Sequence, residues 1–129
     1  YREMADLWPF NPKGQLVLIA IVATEKALKN IDSICAVPGL SGIMFGAKHA
    51  WAALGRTGKC DLEDPLLVDF RDRVLAACKK NGIAAGTSLS GKPPKGVGAG
   101  GVVEVPFLQR RVDEGFRLFL SQGGGRPKI

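Results

Sequence analysis

Histidine and cysteine are scarce in this chain, and their scarcity removes whole classes of chemistry. His49 is the only histidine, and Cys35, Cys60 and Cys78 are the only cysteines. The three thiols are odd in number and widely spaced, with no CxxC pair and no histidine nearby, so neither a zinc site nor a disulfide framework is indicated. Cys35 and Cys78 fall at helix positions that read as buried, so they are expected to be small core residues. Long apolar runs are missing too: the longest, Leu16 to Ala23, is far too short to span a bilayer. No basic segment followed by an apolar stretch opens the chain as a signal peptide would, so a cytoplasmic setting without a membrane is expected. Aromatics make up only 7% of the residues and do not interleave with the basic ones, which argues against a single-strand nucleic-acid binder. Charge of neither sign is missing. The net charge of +6 comes from 18 basic and 12 acidic side chains, and the signs mix locally, as in Arg71, Asp72 and Arg73 or in Arg110 and Arg111 followed by Asp113 and Glu114. A solvated surface explains that pattern better than a nucleic-acid partner does.

What is present is a composition, 46% hydrophobic and 23% charged over 129 residues, that suits one globular domain. Gln15 to Ala23 is almost continuously apolar and β-branched, the pattern of a strand buried on both faces of a parallel sheet. Thr24 can cap a helix in which Ala27, Leu28, Ile31, Ile34 and Cys35 share a face until Pro38 and Gly39 end it. Gly42 to Gly46 reads as a second strand, and Ala47 to Leu54 as a short helix. A stronger helix follows, with Asp64 as N-cap, Pro65 at its first position, a stripe of Leu67, Phe70, Val74, Ala77 and Cys78, and a stop at Asn81 and Gly82. Gly82 to Thr87 and Phe116 to Leu120 complete the strands, with a helix over 106–114 between them. Ser88 to Gly101 reads as a glycine-rich loop carrying Lys92 and Lys95.

Strand and helix alternate throughout, which specifies an α/β fold with ligands at the C-terminal ends of the strands. Four strand–helix units amount to a half barrel of the (β/α)8 TIM-barrel type. The expected organisation is an N-terminal segment over 1–14, a half-barrel domain over 15–122 and a glycine-rich tail over 123–129. Two open edges call for an excerpt of a longer chain, a complementary half-barrel or an oligomer. Tyr1 in first place, with no initiating Met, favours the excerpt.

Few motifs carry chemistry. Gly96, Gly98 and Gly101 fit a lone GxGxxG pattern, but it neither follows a strand directly nor opens a helix, so a flexible loop is the better reading. His49 follows Gly46, Ala47 and Lys48 at a strand end, where a barrel places its chemistry, although a lone loop histidine is more often simply solvated. Lys48 can meet a carboxylate as a point charge or merely be exposed. Glu25, directly after the first strand, is the best carboxylate for a metal or a proton transfer and is equally suited to the positive end of a helix. Trp51 and Ala52 to Leu54 read as packing residues.

Three blocks together resemble the HpcH/HpaI aldolases, metal-dependent class II pyruvate aldolases that shade into the citrate lyase β-subunits. Ile21 to Ile34, IVATEKALKNIDSI, is similar to the family's QIET strand and NIDEI helix. Val37 to Gly55, VPGLSGIMFGAKHAWAALG, is similar to VPGVDGLFIGPNDLSASLG. Asn81 to Gly86 and Glu114 to Leu120 form the third block, and the likeness spans Gln15 to Gln122. The resemblance implies a (β/α)8 barrel that binds pyruvate or another small 2-oxo acid through a divalent metal such as Mg, Mn or Co, and makes or breaks the adjoining carbon–carbon bond. It also implies oligomers, because family members exchange helices between subunits.

Against that pattern the chain departs at the metal positions. Ala23 stands where the family has its metal-binding Glu, His49 where it has the Asp, and Gly124 where it has an aspartate after the last strand. No catalytic residue is therefore assigned, and the expectation is a family member or fragment of impaired turnover. The alternative is a non-catalytic half barrel, a pseudoenzyme serving in binding or assembly. Gly46, Ala47, Lys48 and His49 remain candidates for holding a substrate carboxylate, and His49 with Glu25 for a metal.

Overall fold

The computed structural model describes residues 7–8, 11–88 and 105–120. In chain order the elements are β1 (Leu7–Trp8), β2 (Leu16–Val22), α1 (Glu25–Lys29), α2 (Ile31–Cys35), β3 (Leu40–Phe45), α3 (Ala47–Ala53), α4 (Pro65–Asn81), β4 (Ala84–Ser88), α5 (Val105–Asp113) and β5 (Leu118–Leu120). All strands are parallel and sit in sequence order, β1-β2-β3-β4-β5. From β2 to β5 the sheet is a curled half barrel, as the alternation of elements predicts. β1 was not foreseen; it lies within the segment set apart as 1–14 and pairs through Leu7↔Leu16 and Trp8↔Val17. The glycine-rich loop beyond Ser88, with Lys92, Lys95 and the GxGxxG pattern, and the tail over 123–129 with Gly124, lie outside the described residues.

Helices cover one face of the sheet. Their core gathers Val22, Ile43, Phe45 and Ala85 from the strands with Leu28, Ile31 and Cys35 from α1 and α2 and the whole expected α4 stripe of Leu67, Phe70, Val74, Ala77 and Cys78. Phe45 anchors it, 5.7 Å between ring centroids from Phe70 and 6.5 Å from Phe116. The two thiols assigned to the core are there: Cys35 and Cys78 are buried. Burial pushes Cys78 up to about 12, with the neighbouring Cys35 adding to the rise, so it is no nucleophile at neutral pH. α4 begins where Asp64 Oδ1 accepts from the amides of Leu66 (3.0 Å) and Leu67 (3.3 Å). It ends at Gly82, whose φ of 65° is the left-handed conformation glycine adopts without strain.

Three expectations need correction. A single helix after Thr24 is two, because Asn30 turns its side-chain amide back onto the Lys26 carbonyl (2.8 Å) and its own N–H onto Ala27 O (3.1 Å), tightening and ending the turn. The strand expected to be buried on both faces is instead β3, all six of whose residues are buried. In β2 only Val22 is buried, while Ile21 is 68% and Val17 59% exposed. Its strand neighbour on the outer side, β1, is two residues long, and the first half of β2 lacks a helical cover among the described residues. Finally, Arg111 is buried rather than solvated, held 2.7 Å from Glu114, which also pairs with Arg71 of α4 at 3.3 Å. Among the described residues no helix is long and apolar enough to cross a membrane.

Candidate functional site

At the C-terminal ends of β2 and β3 the register sets Val22 beside Phe45, so the residues that leave the two strands, Ala23 and Gly46, are neighbours. The Gly46 amide donates to Val22 O at 3.2 Å and fastens the two ends together. From there β2 runs into Thr24, whose Oγ1 accepts from the Ala27 amide (3.1 Å) and starts α1. β3 runs into α3, whose first bond is Ala50 N–H to Gly46 O at 2.8 Å. That turn returns His49 toward the strand end. A β-carbon placed on Gly46 would stand 3.3 Å from the Ala23 methyl and 3.5 Å from His49 Nδ1. The missing side chain of Gly46 is therefore the space where Ala23 and His49 converge.

Of the amides considered for a carboxylate, Gly46 is committed to Val22. Ala47, Lys48 and His49 lie in the first turn of α3, where backbone N–H groups have no acceptor within the helix. Lys48 and His49 are exposed. Lys48 lies near enough to Cys60 to ease the ionisation of that thiol, but burial and the Asp61 carboxylate prevail and push it up. Cys60 Sγ donates to Ala47 O at 3.8 Å, and the Trp51 indole donates to Thr57 O at 3.3 Å. Both therefore serve the packing of the loop. Glu25 is the first residue of α1, exposed in the turn where its charge meets the positive helix end. Among the described residues, no three His, Cys, Asp or Glu side chains are grouped so as to hold a metal ion.

Below the mouth, on the face turned from the helices, Ile21, Met44, Gly86 and Leu118 stand in one register row. Sequence reading missed this row, although alternation along the strands points to it once the register is known. Toward the opposite ends of the strands the same face forms an open cavity of about 400 Å³ lined by Trp8, Val17, Ile19, Ser41, Ala84 and Leu118. It lies toward the strand ends opposite the Gly46 mouth. Ser41 is buried there, donating to Trp8 O (2.6 Å) and accepting from the Leu18 amide (3.2 Å), and so braces β1 and β2 where the β2–β3 register shifts.

A parallel half barrel with a glycine and short helix at its strand mouth agrees with one family model, described as HpcH/HpaI aldolase/citrate lyase, which matches residues 10–95. The chain belongs to the HpcH/HpaI aldolase/citrate lyase family. A hydroxypyruvate/pyruvate aldolase of Rhizorhabdus wittichii is 34% identical over 76 residues, covering 56% of this chain and 30% of that protein. Among solved structures, RipC from Yersinia pestis superposes with a TM-score of 0.63 at 29% identity, covering 86% of this chain and 48% of RipC. The citrate lyase β-subunit of M. tuberculosis, solved with oxaloacetate and magnesium, gives a TM-score of 0.62 at 20% identity, over 83% of this chain and 47% of that one. The chain thus spans less than half the length of these relatives.

Proposed function

We propose that this HpcH/HpaI chain binds pyruvate or a similar small 2-oxo acid at the Gly46–His49 mouth, and that its carbon–carbon lyase chemistry is impaired at the metal. The observation that carries the reading is the convergence of the Ala23 methyl and His49 Nδ1 on Gly46. In this reading the first-turn amides of Ala47, Lys48 and His49 donate to the substrate carboxylate and the Lys48 ammonium adds a point charge. The His49 imidazole stands at the same mouth, its Nδ1 3.5 Å from where a Gly46 β-carbon would lie.

A divalent metal in such a site polarises the 2-oxo group and stabilises the enolate oxygen. The residues present do not suit a hard ion. Ala23 offers no donor and His49 an imidazole where oxygen ligands are needed, and the remaining pair, His49 with Glu25, supplies a single carboxylate. Relatives named for pyruvate and oxaloacetate support the ligand class, and the missing carboxylates support the second reading, a binding half barrel without turnover.

Two titrations of the ¹⁵N-labelled chain test this. With pyruvate, the amides of Ala47, Lys48 and His49 are expected to shift first, and shifts scattered elsewhere would sink the carboxylate site. With Mn²⁺, the wild type is expected to show no site-specific broadening at the mouth, whereas Ala23→Glu combined with His49→Asp gains it together with retro-aldol activity. Tight Mn²⁺ binding and turnover by the wild type would overturn the impairment.

A further inference from the structure

Sequence reading ends the third strand at Thr87, whereas β4 continues to Ser88. That one residue matters because side chains alternate between the two faces of a strand. Phe45 pairs with Thr87, so the residues that follow, Gly46 and Ser88, are neighbours, and Ser88 in turn pairs with Leu120. Ala23 stands on the other side of Gly46, since Val22 pairs with Phe45. Val22, Phe45 and Thr87 are buried, the first two in the core beneath the helices. Ala23, Gly46, Ser88 and Leu120 therefore make the last row across the mouth on the opposite face. Of these four, Ser88 alone carries a polar side chain, and it is half-buried.

Room at the mouth lies on the Ser88 side. The atoms nearest a β-carbon placed on Gly46 are the Ala23 methyl at 3.3 Å, Ile21 Cγ2 at 3.5 Å and His49 Nδ1 at 3.5 Å, all from the β2 side or α3. No atom of β4 is among them, and neighbouring strands stand about 4.8 Å apart. A ligand atom over Gly46 thus has an apolar wall toward β2 and a hydroxyl-bearing residue one strand spacing away toward β4. With its carboxylate on the first-turn amides of α3, a 2-oxo acid extends its third carbon across Gly46, and a substituent there meets Ser88. We infer that Ser88 is a specificity-determining residue: its hydroxyl bonds a hydroxyl on the third carbon, so the mouth prefers 3-hydroxy-2-oxo acids to pyruvate. A hydroxyl has one donor and two acceptor positions, so an interaction within the protein leaves Ser88 able to make another to a ligand. This rests on the carboxylate reading of the Gly46–His49 mouth and names the substrate class for it.

Pyruvate and hydroxypyruvate, which differ only in that hydroxyl, titrated into the ¹⁵N-labelled chain separate the two readings. Both are expected to shift the amides of Ala47, Lys48 and His49, hydroxypyruvate with an affinity about fivefold higher, the worth of one net hydrogen bond. Ser88→Ala is expected to bring hydroxypyruvate down to the affinity of pyruvate. Ser88→Cys, close in size, should do the same because a thiol is a weak hydrogen-bonding group. Pyruvate-induced shifts at the same amides verify that a variant keeps a folded mouth. Equal affinities in the wild type, or a preference that survives in either folded variant, would overturn the role of Ser88 and leave the carboxylate reading standing. If neither acid moves those amides, the carboxylate reading fails and the substrate class falls with it.

Discussion

Two glycines of the sheet differ in what a methyl group would meet. A β-carbon on Gly42 would come within 2.7 Å of the Ala84 carbonyl oxygen, a backbone atom fixed in the neighbouring strand, whereas on Gly86 it would press at 3.1 Å on Leu118 and on the end of Met44. Gly42→Ala is therefore expected to cost about 1–3 kcal/mol in urea unfolding, the range of overpacked cores, and Gly86→Ala less because the Met44 methyl can swing aside. Equal losses would mean that β3 and β4 yield at Gly42. The same fine scale marks the limit of the sequence as a guide to the site. His49 at a strand mouth was legible from Gly46 and the apolar run before it. The meaning of Ala23 needed the family pattern, because an alanine after a strand announces nothing by itself. That the Gly46 amide is spent on Val22 was not legible, since it depends on the register between two strands far apart in sequence.

Among the elements, α4 shows local and tertiary signals in agreement: an Asp64 cap, Pro65 behind it, one buried stripe and a glycine stop. Asp64 also meets Arg56 at 3.1 Å, an ion pair whose arginine side is 42% exposed and therefore screened. Asp64→Ala is expected to lower stability by about 1 kcal/mol, chiefly from the lost cap, and Asp64→Asn to recover most of it. If Asn restored nothing, the ion pair rather than the cap would hold the helix start. Elsewhere, elements set by a local rule were readable and those set by neighbours were not. Thr24 and Pro38 bracket the first helical stretch, yet the break at Asn30 comes from a side chain bonding its own backbone. β2 and β3 are both apolar runs, and only their places in the sheet decide that β3 is enclosed and β2 open. Arg111 looked like one more surface charge because its partner Arg71–Glu114 pair joins α4 to the end of α5.

For the molecule as a whole, that contrast between β3 and β2 becomes a gradient of stability. β3 sits in the middle of the sheet with every residue buried, and its opening requires separating the α4 layer. β2 is paired with β3 over Leu18–Val22 and with β1 only at Leu16 and Val17, with Ile21 and Val17 open to water. Backbone hydrogen bonds at such an edge open by local fluctuation, well below the free energy of global unfolding. Amide exchange over Ile19–Val22 is expected to be at least about 100-fold faster than over Leu40–Phe45, because the second strand is enclosed and the first is not. Equal protection in the two strands would mean that β2 opens only with the whole fold, and the gradient would be absent.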